Sequence, residues 1–166
     1  MKLRFASVAA ATIVLTAGLV LAAARANFTG TWVMDKSKSE GIPPNVEQTM
    51  TFTQVDDQLT FQNKIVTPQG DILISDAFTI NGKEVEFTQK RNDEEIKGKR
   101  VSKWLTDGNG FESSEEFAVE GADGQPVYQQ ITRKWVMSAD GKTFTVELSG
   151  KSPGGEQHTK RTFLKK

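Results

Sequence analysis

Turn signals recur along this chain at intervals of about ten residues, and that spacing restricts the fold more than any other feature. Asp56-Asp57, Pro68-Gln69-Gly70, Asn81-Gly82, Asp107 to Gly110, Gly121 to Pro126, Asp140-Gly141 and Ser152 to Gly155 punctuate short runs rich in Thr, Val, Ile and Phe. Apolar residues in those runs alternate with polar ones, and beyond residue 26 no long stretch carries the helical period. The runs predict strands at 30–35, 46–55, 58–67, 71–80, 83–91, 95–106, 110–119, 127–138, 143–149 and 156–164.

The pairing can be tested for phase. A two-residue turn at Asp56-Asp57 sets Phe52 opposite Phe61. A turn at Asn81-Gly82 sets Phe78 opposite Val85 and Ile74 opposite Gln89. A turn at Asp140-Gly141 sets Met137 opposite Phe144, Trp135 opposite Val146 and Arg133 opposite Leu148. Asn-Gly and Asp-Gly suit such turns, because both central residues take positive φ. In each case apolar side meets apolar side, and a slip of one residue would break the match. The expectation is an all-β antiparallel up-and-down meander. A long meander removes its edges by closing, here into a barrel of 8–10 strands.

The start of the chain reads differently. Lys2 and Arg4 precede an uncharged run, Phe5 to Ala24, that ends in the small-x-small pattern Ala24-Arg25-Ala26. This is the pattern of a secretory signal peptide over 1–26, leaving one domain over 27–166. The run approaches the length of a membrane span, and its small-residue end favours cleavage over anchoring. Removing 1–26 takes Lys2, Arg4 and Arg25, and no acid, from a balance of 21 basic and 21 acidic side chains. The remaining 140 residues then carry a formal charge of −3. An exported, mildly acidic domain, secreted or periplasmic, argues against nucleic acid as a partner and against membrane insertion after cleavage. With no cysteine and one histidine, a disulfide framework, a thiol nucleophile and a two-histidine zinc site are excluded within the chain.

The opening Phe28-Thr29-Gly30-Thr31-Trp32 resembles the Gly-x-Trp start of lipocalins and the Phe-x-Gly-Thr-Trp start of fatty-acid-binding proteins, both calycins. Secreted bacterial lipocalin-like proteins are similar, with a Gly-Thr-Trp start followed by a Lys-Ser pair, here Lys36-Ser37 or Lys38-Ser39. The resemblance implies a barrel whose base is formed by Trp32, covered by Arg161 of the last strand. Two departures accompany it. Residues 36–45, with Pro43-Pro44, are too few and too proline-rich for the helical pair of fatty-acid-binding proteins. Their Arg-x-Tyr pair is matched by Arg161-Thr162-Phe163, which lacks the phenol.

The inner faces carry polar interruptions. Arg100 and Ser102 share parity with Ile96 and Trp104. Ser113 and Glu115 share parity with Phe111 and Phe117. Gln129 and Arg133 share parity with Ile131 and Trp135, and Gln89 and Arg91 follow Phe87. A solid core does not hold so many ionisable groups, whereas a wet lumen does. Strand ends facing water at the rim are the other explanation. On the lumen reading the candidate ligand-binding residues are Arg91, Arg100, Trp104, Glu115, Gln129, Arg133 and Trp135. A turn centred on Gly108-Asn109 puts Glu115 diagonal to Arg100. Glu115 is then expected to satisfy one of Arg100 and Arg133 and leave the other for a ligand with an acidic or polar head. Asp76, among Ile72, Ile74 and Phe78, is the most unusual acid. Haem through the lone His158 is disfavoured, because one histidine in a Lys- and Thr-rich strand is no pocket. No catalytic residue and no metal ligand is assigned.

Three functions follow. The first is a barrel binding a small hydrophobic or amphipathic molecule. The second is a filled, non-enzymatic structural or interaction module of the cell envelope. The third is an isomerase or hydrolase on the same scaffold. The size of the interior void discriminates between the first two.

Overall fold

The computed structural model describes residues 25–121, 123–152 and 154–166. The signal segment therefore lies almost wholly outside the described residues. Ten antiparallel strands follow one another: β1 (Gly30–Asp35), β2 (Glu47–Val55), β3 (Gln58–Thr67), β4 (Gly70–Thr79), β5 (Glu84–Arg91), β6 (Glu94–Trp104), β7 (Gly110–Glu120), β8 (Pro126–Met137), β9 (Thr143–Ser152) and β10 (Gly155–Lys165). Each strand pairs with the next, and β1 pairs with β10, so the meander closes into a ten-stranded barrel. This is the closed up-and-down barrel that the sequence leads one to expect. A single 3-10 turn, Lys36–Lys38, capped by the Asp35 side chain, links β1 to β2.

Two of the three phase tests hold. Phe52 faces Phe61, and Met137 faces Phe144 with Trp135 opposite Val146 and Arg133 opposite Leu148. The third does not. Between β4 and β5 only Ile74↔Arg91 and Ser75↔Lys90 pair, which shifts the register by two residues from that expected. The cause lies in the Asn81-Gly82 link. Only Gly82 takes positive φ (74°), and the Asn81 side chain accepts the Lys83 N–H instead of forming a tight turn. The Ile80 N–H goes to Asp57 O and the Gly82 N–H to Ser102 O, which draws the link away from its own hairpin. The β4–β5 seam is thereby left open over most of its length.

One end of the barrel is filled with rings. Phe28 enters from the chain start and contacts Phe52, Phe111 and Phe144 at 5.4–6.1 Å between centroids. Trp135 lies flat on Phe111, 5.4 Å away and 8° from parallel. Trp32 is fully buried, donates to Phe28 O at 2.8 Å and meets Phe144 edge-on. The side chain over its face is that of Lys165, with Nζ 5.2 Å from the ring, and not that of Arg161. The correction follows from register: Trp32 is the direct cross-strand partner of Lys165, whereas Arg161 sits four residues deeper.

Candidate functional site

The half of the barrel away from Trp32 encloses a cavity of about 170 Å³. Phe61, Phe78, Trp135 and Phe163 form its apolar floor, and Gln48, Asn63, Gln89, Thr159, Arg133 and Arg161 supply its polar wall. Strand alternation explains the arrangement. Gln48 follows the inward parity of Met50 and Phe52, Asn63 that of Leu59 and Phe61, and Arg161 that of Phe163.

Arg133 is held by Glu115, whose Oε2 accepts from its Nη1. Glu115 Oε1 also accepts from Arg100 Nε at 3.1 Å. Arg100 then reaches Asp76 with Nη1 and Nη2, at 2.9 and 2.5 Å, and the Ala77 carbonyl at 2.7 Å. Gln89 Nε2 donates at 2.8 Å to Asp76 Oδ2, the oxygen that also accepts from Arg100 Nη2. Two arginines and two carboxylates thus form one neutral, hydrogen-bonded chain, with Arg100 and Glu115 each only 1% exposed. The guanidinium of Arg100 lies between the rings of Phe78 and Phe87, 4.2 and 4.1 Å from their centroids. Gly98, nearby on β6, lets β7 and the Phe87 ring approach closely, because a Cβ there would stand 2.2 Å from the Glu116 carbonyl and 2.9 Å from the Phe87 ring. Arg100, Asp76 and Gln89 sit where the β4–β5 ladder is missing, and their side chains bridge the seam.

Arg161 differs from the other inward arginines. Its Nη1 donates to Gln48 Oε1 at 2.8 Å, while its buried Nε has no acceptor among the described residues. Burial pushes its pKa down, and no neighbouring carboxylate offsets that desolvation. A guanidinium nevertheless keeps its charge at any physiological pH. It is a partly buried cation facing the cavity, with no anion beside it among the described residues.

Several sequence expectations need correction. Glu115 satisfies both arginines rather than one. It lies directly opposite Arg100, not diagonal, because the β6–β7 link spans Leu105 to Asn109. Trp104 is half-buried at the ring-filled end, bonded to Asp57 Oδ1 at 2.8 Å, and does not line the cavity. Arg91 is exposed at the end of β5, and Gln129 is half-buried opposite Phe117; neither belongs to the cavity wall. Trp135 and Arg133 do line it. His158 is exposed and lies 3.2 Å from Ser149 Oγ, away from the cavity. Gln48 and Asn63 were not singled out by the sequence, although each is a polar residue at inward parity within an apolar face.

No family model matches this chain, and no curated protein does. Among solved structures it is similar to the zebrafish ileal bile acid-binding protein complexed with cholic acid. The identity is 15%, the match covers 84% of this chain and 98% of that one, and the TM-score is 0.49.

Proposed function

We propose that the protein is a non-catalytic binder that takes a small amphipathic molecule, anionic at its head, into the open half of the barrel. The observation that carries this reading is Arg161, a cation in the cavity wall with no carboxylate partner among the described residues. Leaving such a charge uncompensated is costly, and a ligand anion removes that cost. The cavity's ring-lined floor suits an apolar body. An enzyme would need free titratable groups converging on the void. Asp76 and Glu115 are both committed to Arg100, which favours binding over acid–base chemistry.

The filled-module reading draws on a different observation, the ring-packed half of the interior. Titration of medium-chain carboxylates, followed by tryptophan fluorescence, separates the two. The wild type is expected to bind, and Arg161→Leu to weaken binding at least about tenfold, roughly 1.4 kcal/mol. Failure of the wild type to bind any of these acids at millimolar concentration would leave the filled module as the better account.

We also propose export, with the mature chain beginning at Asn27. The pattern Ala24-Arg25-Ala26 supports it. Intact-mass measurement of protein recovered from outside the cytoplasm is expected to show Asn27 as the first residue; a chain still starting at Met1 rules export by cleavage out.

A further inference from the structure

This inference rests on the binding reading above and specifies the ligand. The polar wall contains a short relay whose direction is set by chemistry. Arg161 can only donate, so the oxygen of the Gln48 amide must face its Nη1, 2.8 Å away. The Gln48 amide nitrogen is therefore turned to Asn63, donating to Oδ1 at 3.0 Å. That in turn leaves the Asn63 Nδ2 group as a donor with no acceptor among the described residues. Gln48 and Asn63 are 2% and 6% exposed, so Arg161 and not bulk solvent is the main constraint on the orientation of the relay. β10, β2 and β3 together present donors, from Arg161 and Asn63, and no acceptor from the relay itself.

Charge on the opposite wall is already cancelled. Arg133 is neutralised by Glu115, which belongs to the balanced chain with Arg100 and Asp76. Among the described residues, the cavity therefore offers a single uncompensated positive charge. Its volume of about 170 Å³ is close to the roughly 150 Å³ of an engineered apolar cavity that holds benzene.

We infer that the site takes a compact monoanion: a ring-sized apolar body bearing one acceptor-only head, a carboxylate, gripped by Arg161 and by Asn63 Nδ2. Gln48 is a positioning residue that fixes the polarity of Asn63. Dianions gain nothing from this wall, and uncharged amides or alcohols lose the charged contact.

The test uses the full chain and four ring-sized probes in isothermal titration at pH 8. Benzoate and benzamide match in shape and differ in charge. Benzenesulfonate and phenylphosphonate match in shape and carry one and two charges. Benzoate is expected to bind at least about tenfold tighter than benzamide, because its hydrogen bonds are charge-assisted. Phenylphosphonate is expected to bind no tighter than benzenesulfonate. Asn63→Asp, nearly isosteric, replaces the donor with a second anion and is expected to weaken benzoate at least about tenfold. Asn63→Ala removes the donor without adding charge and is expected to cost about fivefold. Circular dichroism of both variants confirms that the barrel is intact. Equal affinity for benzoate and benzamide, a tenfold gain for phenylphosphonate, or folded Asn63 variants that bind benzoate as the wild type does, would each overturn the inference. If longer carboxylates bind and none of the four probes does, the size limit is wrong while the binding reading stands. If no carboxylate of any length binds, the underlying reading falls with it.

Discussion

Replacing Arg100 with leucine is expected to destabilise the protein by about 3–5 kcal/mol, the usual cost of removing one partner from a buried ion pair. The magnitude follows from what Arg100 leaves behind. Asp76 would keep only Gln89 and its neighbouring backbone N–H as partners, and the Ala77 carbonyl would lose its donor. The rings of Phe78 and Phe87 would lose the cation that separates them. The seam between β4 and β5, with two registered pairs, has little backbone pairing with which to compensate. Urea denaturation measures the loss. A second substitution checks its origin: adding Asp76→Leu to Arg100→Leu removes the stranded carboxylate and is expected to recover part of the lost stability. A loss below about 1 kcal/mol for Arg100→Leu would show that water or a rearranged Gln89 replaces the guanidinium without cost.

The same network shows why the strands were legible in the sequence and the site only partly so. All ten strands can be read from alternation and turn spacing, because those signals act between near neighbours. Tight connections such as Asp56-Asp57 transmit register faithfully to the next strand. The Asn81-Gly82 link does not, since its backbone groups are claimed by Asp57 and Ser102, residues remote in sequence. A turn dipeptide cannot announce such a competition. Inward parity likewise identified Arg100, Glu115, Arg133 and Trp135 as interior residues. Parity does not say how deep along the barrel a residue sits, and depth separates Trp135 at the cavity floor from Trp104 at the filled end.

Arg161 illustrates the same limit from the other side. Its strand and its inward direction were evident, yet the resemblance carried it to the base, over Trp32. Lys165 occupies that place because the β1–β10 register puts it opposite Trp32. Four residues along β10, Arg161 reaches Gln48 of β2 across the end of β1. Closure of a barrel couples its first and last strands, and closure register is a property of the whole sheet. No short motif encodes it, so the residue that became the free cation of the cavity was the one most easily misplaced.

Trp32→Ala is expected to cost about 3–5 kcal/mol, through the cavity opened at the point where the barrel closes. Trp32 is wholly buried, and the structure around it has little freedom to collapse. Its strand is the shortest, six residues, and is paired on one side to β2 and on the other to β10. The Trp32 indole N–H also satisfies the carbonyl of Phe28, the residue that plugs the ring-filled end. Truncation therefore removes a ring contact with Phe144 and loosens Phe28, which touches three further rings. Lys165→Ala supplies the contrast. Its ammonium lies over the indole at an exposed position, where a cation–π contact is worth about 0.5–1 kcal/mol. A chemical-denaturation series on both variants is expected to show the large loss for Trp32 and the small one for Lys165. Comparable losses for the two would mean that the covering cation, and not the packed indole, holds the closure together.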